Sequence, residues 1–181
     1  EEEIIPQVEQ ECGKPNSPRI CRTVAGYSLA GLFATWTALN SSAFSRIASA
    51  SGSLWYPDFA HFVAERPLKR PIDCAYFSLG SKEAKTPSRL LRNVATGTDE
   101  VVAAFRSKGV PTQFESNPGN HFKEPALRMA RGITWTIASK RPIDGSTPHS
   151  FSKSFARENG RDPKKAGRSP AARDAESGEG C

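Results

Sequence analysis

Groups that bind metals or build covalent frameworks are scarce in this chain. Of 181 residues only four are cysteine and three histidine. Cys12, Cys21, Cys74 and Cys181 form no C-x-x-C pair and follow no regular spacing, which excludes a zinc-finger pattern and a disulfide-stapled secreted fold. Reduced thiols in a cytoplasmic protein are the expectation. No run approaches the roughly 20 apolar residues that span a bilayer, and the opening EEEIIPQVEQ lacks a basic stretch followed by an apolar one, so neither a membrane anchor nor an export signal is expected. No phosphate-cradling glycine loop, dinucleotide fingerprint or metal-ligand spacing is present, so no cofactor and no metal are implied. The net charge of +6 is spread along the chain with no recognisable binding fold beneath it, and nucleic acid is not an expected partner.

What is present is unevenly placed. Apolar residues make up 37% of the chain, with ten Phe and three Trp, and they cluster before about residue 140. From Arg141 the sequence turns to Pro, Gly, Ser and mixed charge, including a basic run from Arg161 to Arg168. Such a stretch buries too little surface to offset its chain entropy. The expected organisation is therefore one folded unit over 1–140 and a disordered basic and polar tail over 141–181.

Within the first part, strand-like and helix-like segments alternate. Ile4, Ile5 and Val8 mark one face of a short helix stopped by Gly13 and Pro15. ICRTVAG, FSRIASASG, DCAYFSLG and VPTQFES have strand length and β-branched or small apolar content. After the first of them, Leu29, Leu32, Phe33 and Trp36 recur at helical spacing and predict a buried face. Leu91, Val94, Ala95, Thr98, Val102 and Phe105 trace a helix closed by Gly109. A last one carries Ala126, Met129, Ala130, Ile133 and Ile137, with Pro125 in its first turn. The aromatic, Pro-punctuated LWYPDFAHFVAERPLKRP is either a cap over a pocket or an ordinary connection, and the residues leave both open. The alternation predicts an α/β fold with a mostly parallel sheet of about four strands and flanking helices, its functional groups at the carboxyl ends of the strands.

Gly26-Tyr27-Ser28-Leu29-Ala30-Gly31 falls where a strand runs directly into a helix. That is the setting of the nucleophile elbow, G-x-S-x-G, here with Ala at the last position. A serine on so sharp a turn needs small neighbours at Gly26 and Ala30, and the first helical N–H groups, beginning at Leu29, face whatever it attacks. Serine is a poor nucleophile without a base. His149 lies in the tail and His61 in the aromatic connection, whereas His121 sits in the loop SNPGNHFKEP directly after the last strand. Glu83, three residues past the glycine ending the third strand, is the candidate acid that orients the imidazole. Asp99 reads as a helical residue and Asp58 as a turn residue. Tyr27, Leu29, Trp55 and Tyr56 are the candidate substrate-binding residues, which points to an apolar or aromatic acyl group.

AGYSLAGLFATW, SGSLWYPDF, YFSLGSKEAKT and NPGNHFKEPALRMARGITW, in that order, resemble the α/β-hydrolase esterase family that includes esterase D-like enzymes and siderophore-trilactone esterases. The resemblance spans roughly residues 1–138. It implies a partial α/β-hydrolase, the C-terminal part of the domain: an intracellular, metal-independent carboxylic ester hydrolase acting on a small-molecule ester, with Ser28 as nucleophile, His121 as base and the acid in the LGSKE block, where Glu83 matches. Relatives begin with further strands and donate a second oxyanion N–H from a loop before the nucleophile strand, so a truncated chain with an open sheet edge is expected. The alternatives are a truncated, catalytically inactive hydrolase fragment or an α/β binding and interaction module whose serine only turns the chain.

Overall fold

Strand-forming residues end in glycine or small polar groups at four points along the chain, and each point becomes the carboxyl end of a strand. The computed structural model describes residues 1–13 and 20–139; the expectations for 141–181, for Cys181 and for Pro15 lie outside the described residues. The elements are α1 (Ile4–Glu11), β1 (Thr23–Tyr27), α2 (Leu29–Asn40), β2 (Arg46–Ala50), α3 (Phe59–Glu65), β3 (Cys74–Gly80), α4 (Val94–Ser107), β4 (Thr112–Asn117) and α5 (Pro125–Ala138). The strands form one sheet in the order β1-β2-β3-β4. Every neighbouring pair is parallel. This is the α/β arrangement that the alternation of elements predicts.

Alternation along the strands divides the two faces. On one, Ile47, Ala75 and Phe77 join Ala34 and Ala38 of α2 and Val101 and Phe105 of α4 in a continuous core. Leu54, Phe59, Val63 and Ile72 from the aromatic connection belong to the same core, and α3 packs on α4. On the other face α5 crosses β1, β2 and β3. Its contacts are close because Gly132 lies flat on the sheet: a Cβ there would stand 2.8 Å from the Tyr76 ring. Arg46 reaches the far end of α5, donating from Nη1 to the Thr136 carbonyl at 2.5 Å and so satisfying a carbonyl left open at a helix C-terminus.

Three predicted helix faces are turned relative to expectation. In α2 the buried residues are Gly31, Ala34, Thr35, Thr37, Ala38 and Leu39, while Leu29 and Phe33 are 69% and 60% exposed and Trp36 is also exposed. In α5 they are Arg128, Gly132 and Thr136, while Ile133 and Ile137 face outward. The cause is the same in both: the helix axis approaches the sheet so closely that only small side chains fit beneath it, and the bulky ones are displaced to the outer surface. In α1 the buried residue is Glu9, paired with Arg22, and Ile4 and Val8 are exposed.

Candidate functional site

Ser28 occupies the bend between β1 and α2 with φ 58 and ψ −120. Left-handed backbone at a residue other than glycine costs roughly 1–3 kcal/mol and persists only where its surroundings over-determine it. Here they do. The Ser28 N–H donates to the Ala50 carbonyl at 3.1 Å, and the Ser28 carbonyl accepts from Gly31, Leu32 and Ser53 at 3.0, 3.2 and 2.9 Å. Gly26 completes the bend, because any Cβ there would overlap the Ala30 carbonyl.

His121 lies beyond β4, in the loop that leads to α5. Its Nε2 is 3.1 Å from the Ser28 hydroxyl and its Nδ1 is 2.8 Å from Oε2 of Glu83. A carboxylate accepts only, so Nδ1 carries the hydrogen and Nε2 presents its lone pair to the serine. The three side chains thus form one hydrogen-bonded row drawn from the carboxyl ends of β1, β3 and β4. The row grades from wet to dry: the His121 side chain is 32% exposed and that of Glu83 3%. Asp99 lies on the exposed side of α4, and Asp58, at φ 59, is a turn residue ahead of α3.

The other oxygen of Glu83 is also fully engaged. Oε1 accepts from the Gly80 N–H at 2.6 Å, the Ser51 hydroxyl at 2.7 Å and Nη1 of Arg128 at 2.9 Å. Arg128 escaped the sequence reading because the apolar pattern of its helix pointed to a neighbouring face; the signal was Arg128, Gly132 and Thr136 at successive four-residue steps, a row of one long and two small residues fit to lie on a sheet. Ser51, at φ 47 just past β2, carried no sequence signal.

The candidate substrate residues separate. Tyr27 donates its hydroxyl to the His121 carbonyl and sets its ring 5.3 Å from the imidazole, so it fastens the histidine loop. Leu29 opens α2 beside the serine, where helical N–H groups have no partner within the helix. With Phe33, Trp36, Tyr56 and Phe59 it lines an apolar groove of about 640 Å³. Trp55 lines a second depression of about 350 Å³ with Gly97 and Glu100, and Tyr56 borders both. Among the described residues no group of His, Cys, Asp and Glu is arranged to hold a metal, and no helix is long and apolar enough to cross a membrane.

No family model matches the sequence. The chain is 26% identical over 145 residues to the uncharacterized protein YbbA of Bacillus subtilis strain 168, covering 77% of this chain and 58% of that protein. Its structure is similar to that of siderophore hydrolase EstB from Aspergillus nidulans, with a TM-score of 0.60 at 20% identity over 78% of this chain and 57% of that one. A ferulic acid esterase gives a TM-score of 0.56 at 20% identity, over 76% of this chain and 58% of the other. The chain thus spans somewhat over half the length of each of these three proteins. Along about three quarters of its residues the chain shares the fold of the latter two proteins, a parallel sheet with helices on both faces.

Proposed function

We propose that the chain is a serine-dependent carboxylic ester hydrolase working through an acyl-enzyme. Ser28 Oγ attacks the ester carbonyl as its proton passes to Nε2 of His121. Glu83 keeps the imidazole in the tautomer that accepts this proton and stabilises the imidazolium that results. The N–H of Leu29 donates to the developing oxyanion. Collapse of the tetrahedral species expels the alcohol, which takes the proton from Nε2. Water, activated by the same nitrogen, then releases the acid.

The single observation that carries this reading is the row Ser28 Oγ to His121 Nε2 at 3.1 Å and His121 Nδ1 to Glu83 Oε2 at 2.8 Å, set on a strained strand-to-helix bend. The structural neighbours, a siderophore hydrolase and a ferulic acid esterase, support an ester as the substrate class. The groove bordered by Leu29, Phe33, Trp36 and Tyr56 supports an apolar or aromatic acyl group. No cofactor enters the scheme.

The test is labelling with a fluorophosphonate beside hydrolysis of a nitrophenyl ester. Wild-type chain is expected to label, and Ser28→Ala and His121→Ala to lose both label and turnover. Labelling that persists in Ser28→Ala removes Ser28 from the role. A second reading, a hydrolase fold that binds without turnover, draws on the exposed apolar side of α2 beside the edge strand β1. It gains the lead if a folded chain takes no label.

A further inference from the structure

Burying an arginine is costly unless every polar group on it is matched, and the side chain of Arg128 is 2% exposed, as dry as the carboxylate it meets. Its partners explain the burial. Nη1 donates to Glu83 Oε1 at 2.9 Å and to the Ser51 hydroxyl at 2.7 Å. Nη2 donates to the carbonyl of Asn120 at 2.8 Å, the residue immediately before His121. One planar guanidinium therefore grips both ends of the Glu83 to His121 hydrogen bond: the carboxylate directly, and the histidine through the carbonyl of the residue before it.

The division of the carboxylate matters. With Oε1 held by Gly80, Ser51 and Arg128, the carboxylate cannot rotate about its terminal bond, and Oε2 is left facing Nδ1 of His121 at 2.8 Å. The loop has a matching constraint. Lys82 N–H donates to the Gly119 carbonyl at 2.9 Å, but the Asn120 carbonyl is held from the α5 side by Arg128. A lysine brings one nitrogen with rotatable donors in place of a rigid two-pronged plane, so it does not hold the acid and the loop in the same fixed geometry.

We propose that Arg128 is the positioning residue of this site, fixing the Glu83 to His121 hydrogen bond by clamping the acid and the histidine loop with one guanidinium. This rests on the serine-hydrolase reading for its effect on turnover, and on geometry alone for its effect on the hydrogen bond. Arg128 touches neither substrate nor reacting atoms; misplacement of the base by about 1 Å costs on the order of 10²-fold in rate.

The experiment compares wild type, Arg128→Lys, Arg128→Met, Glu83→Gln and the double variant Arg128→Met/Glu83→Gln. Near-UV circular dichroism reports folding, the low-field Nδ1 proton of His121 in the NMR spectrum reports the hydrogen bond, and nitrophenyl ester kinetics report turnover. In Arg128→Lys the low-field proton is expected to broaden or vanish, and kcat to fall on the order of 10²-fold with KM within about twofold. The double variant removes both buried charges and so tolerates folding better than a lone uncharged substitution. Its loss in kcat is expected to be smaller than the product of the losses in Arg128→Met and Glu83→Gln, because the two residues act through one hydrogen bond. A sharp low-field proton and wild-type kcat in Arg128→Lys, or fully multiplicative losses in the double variant, overturns the proposal. If wild type keeps the proton that Arg128→Lys loses yet neither labels nor turns over, the clamp stands and the hydrolase reading falls.

Discussion

The hydroxyl of Tyr27 donates to the backbone carbonyl of His121, which ties the residue before the serine to a histidine 94 positions later in the chain. The bend and the histidine loop are therefore held in register from the β1 side by a phenol and from the α5 side by Arg128. Tyr27→Phe removes the first tie and keeps the ring against the imidazole. A net contribution of about 1 kcal/mol for one such hydrogen bond corresponds to roughly a fivefold lower kcat, with KM little changed. Steady-state hydrolysis of a nitrophenyl ester measures both constants, and an unaltered kcat would show that the loop does not depend on this phenol.

Glu83→Gln and Glu83→Ala are expected to differ in kind. Glutamine can keep its oxygen toward Arg128 and Ser51, at the site of Oε1, but then turns an NH2 toward Nδ1 and disfavours the reactive tautomer. On the proposed hydrolase reading turnover should fall by about 10⁴-fold, as when the acid of a serine-protease triad is replaced by its amide, with only a modest drop in melting temperature. Alanine leaves the Arg128 cation buried without its partner, which typically costs about 3–5 kcal/mol. Thermal melts of both variants beside their labelling rates separate the two effects.

Gly26→Ala should damage the bend itself. The added methyl falls inside contact distance of the Ala30 carbonyl, which is helix backbone and cannot swing aside. Overpacking of this kind typically costs about 1–3 kcal/mol, and the shift of α2 carries Ser28 and the Leu29 N–H with it. The expected result is a lower denaturation midpoint with slowed fluorophosphonate labelling. A variant as stable and as reactive as wild type would show that the strand and helix can separate here without consequence.

Alkaline conditions should weaken the fold through β3. Burial pushes the Tyr76 phenol far above its ordinary value, with its hydrogen bond to Glu115 adding to the rise, and burial likewise pushes up the Cys74 thiol. Both groups are acids kept neutral in the folded chain. Their contributions are complete below the unfolded values, about 8.5 for Cys and 10 for Tyr. They are lost as pH rises above those values, because the unfolded chain then releases protons that the folded chain retains. Melting temperature should fall from about pH 9 upward. Tyr76→Phe should start lower, having lost its bond to Glu115, but decline less steeply above about pH 10. An equally steep decline in the variant would assign the alkaline loss to other groups.

Local chemistry alone determined a good part of this protein. A strand running into a helix at Gly26-Tyr27-Ser28, a glycine loop with His121 after the last strand, and Glu83 just past the third are short-range patterns. Each depends on turn geometry and periodicity within a few residues, and so can be read along the chain. The helix faces could not be read this way. Apolar spacing in α2 and α5 names the residues that would sit in an ordinary core, but packing against a parallel sheet at close range selects small residues instead. That choice belongs to the distance between two surfaces, which no single segment encodes. Only the tertiary structure brought Ser51 and Arg128 to the Glu83 carboxylate, and the Asn120 carbonyl to the same guanidinium. Their partners lie 32, 45 and 8 positions apart, and a buried charge acquires its meaning from the countercharge that the fold delivers to it.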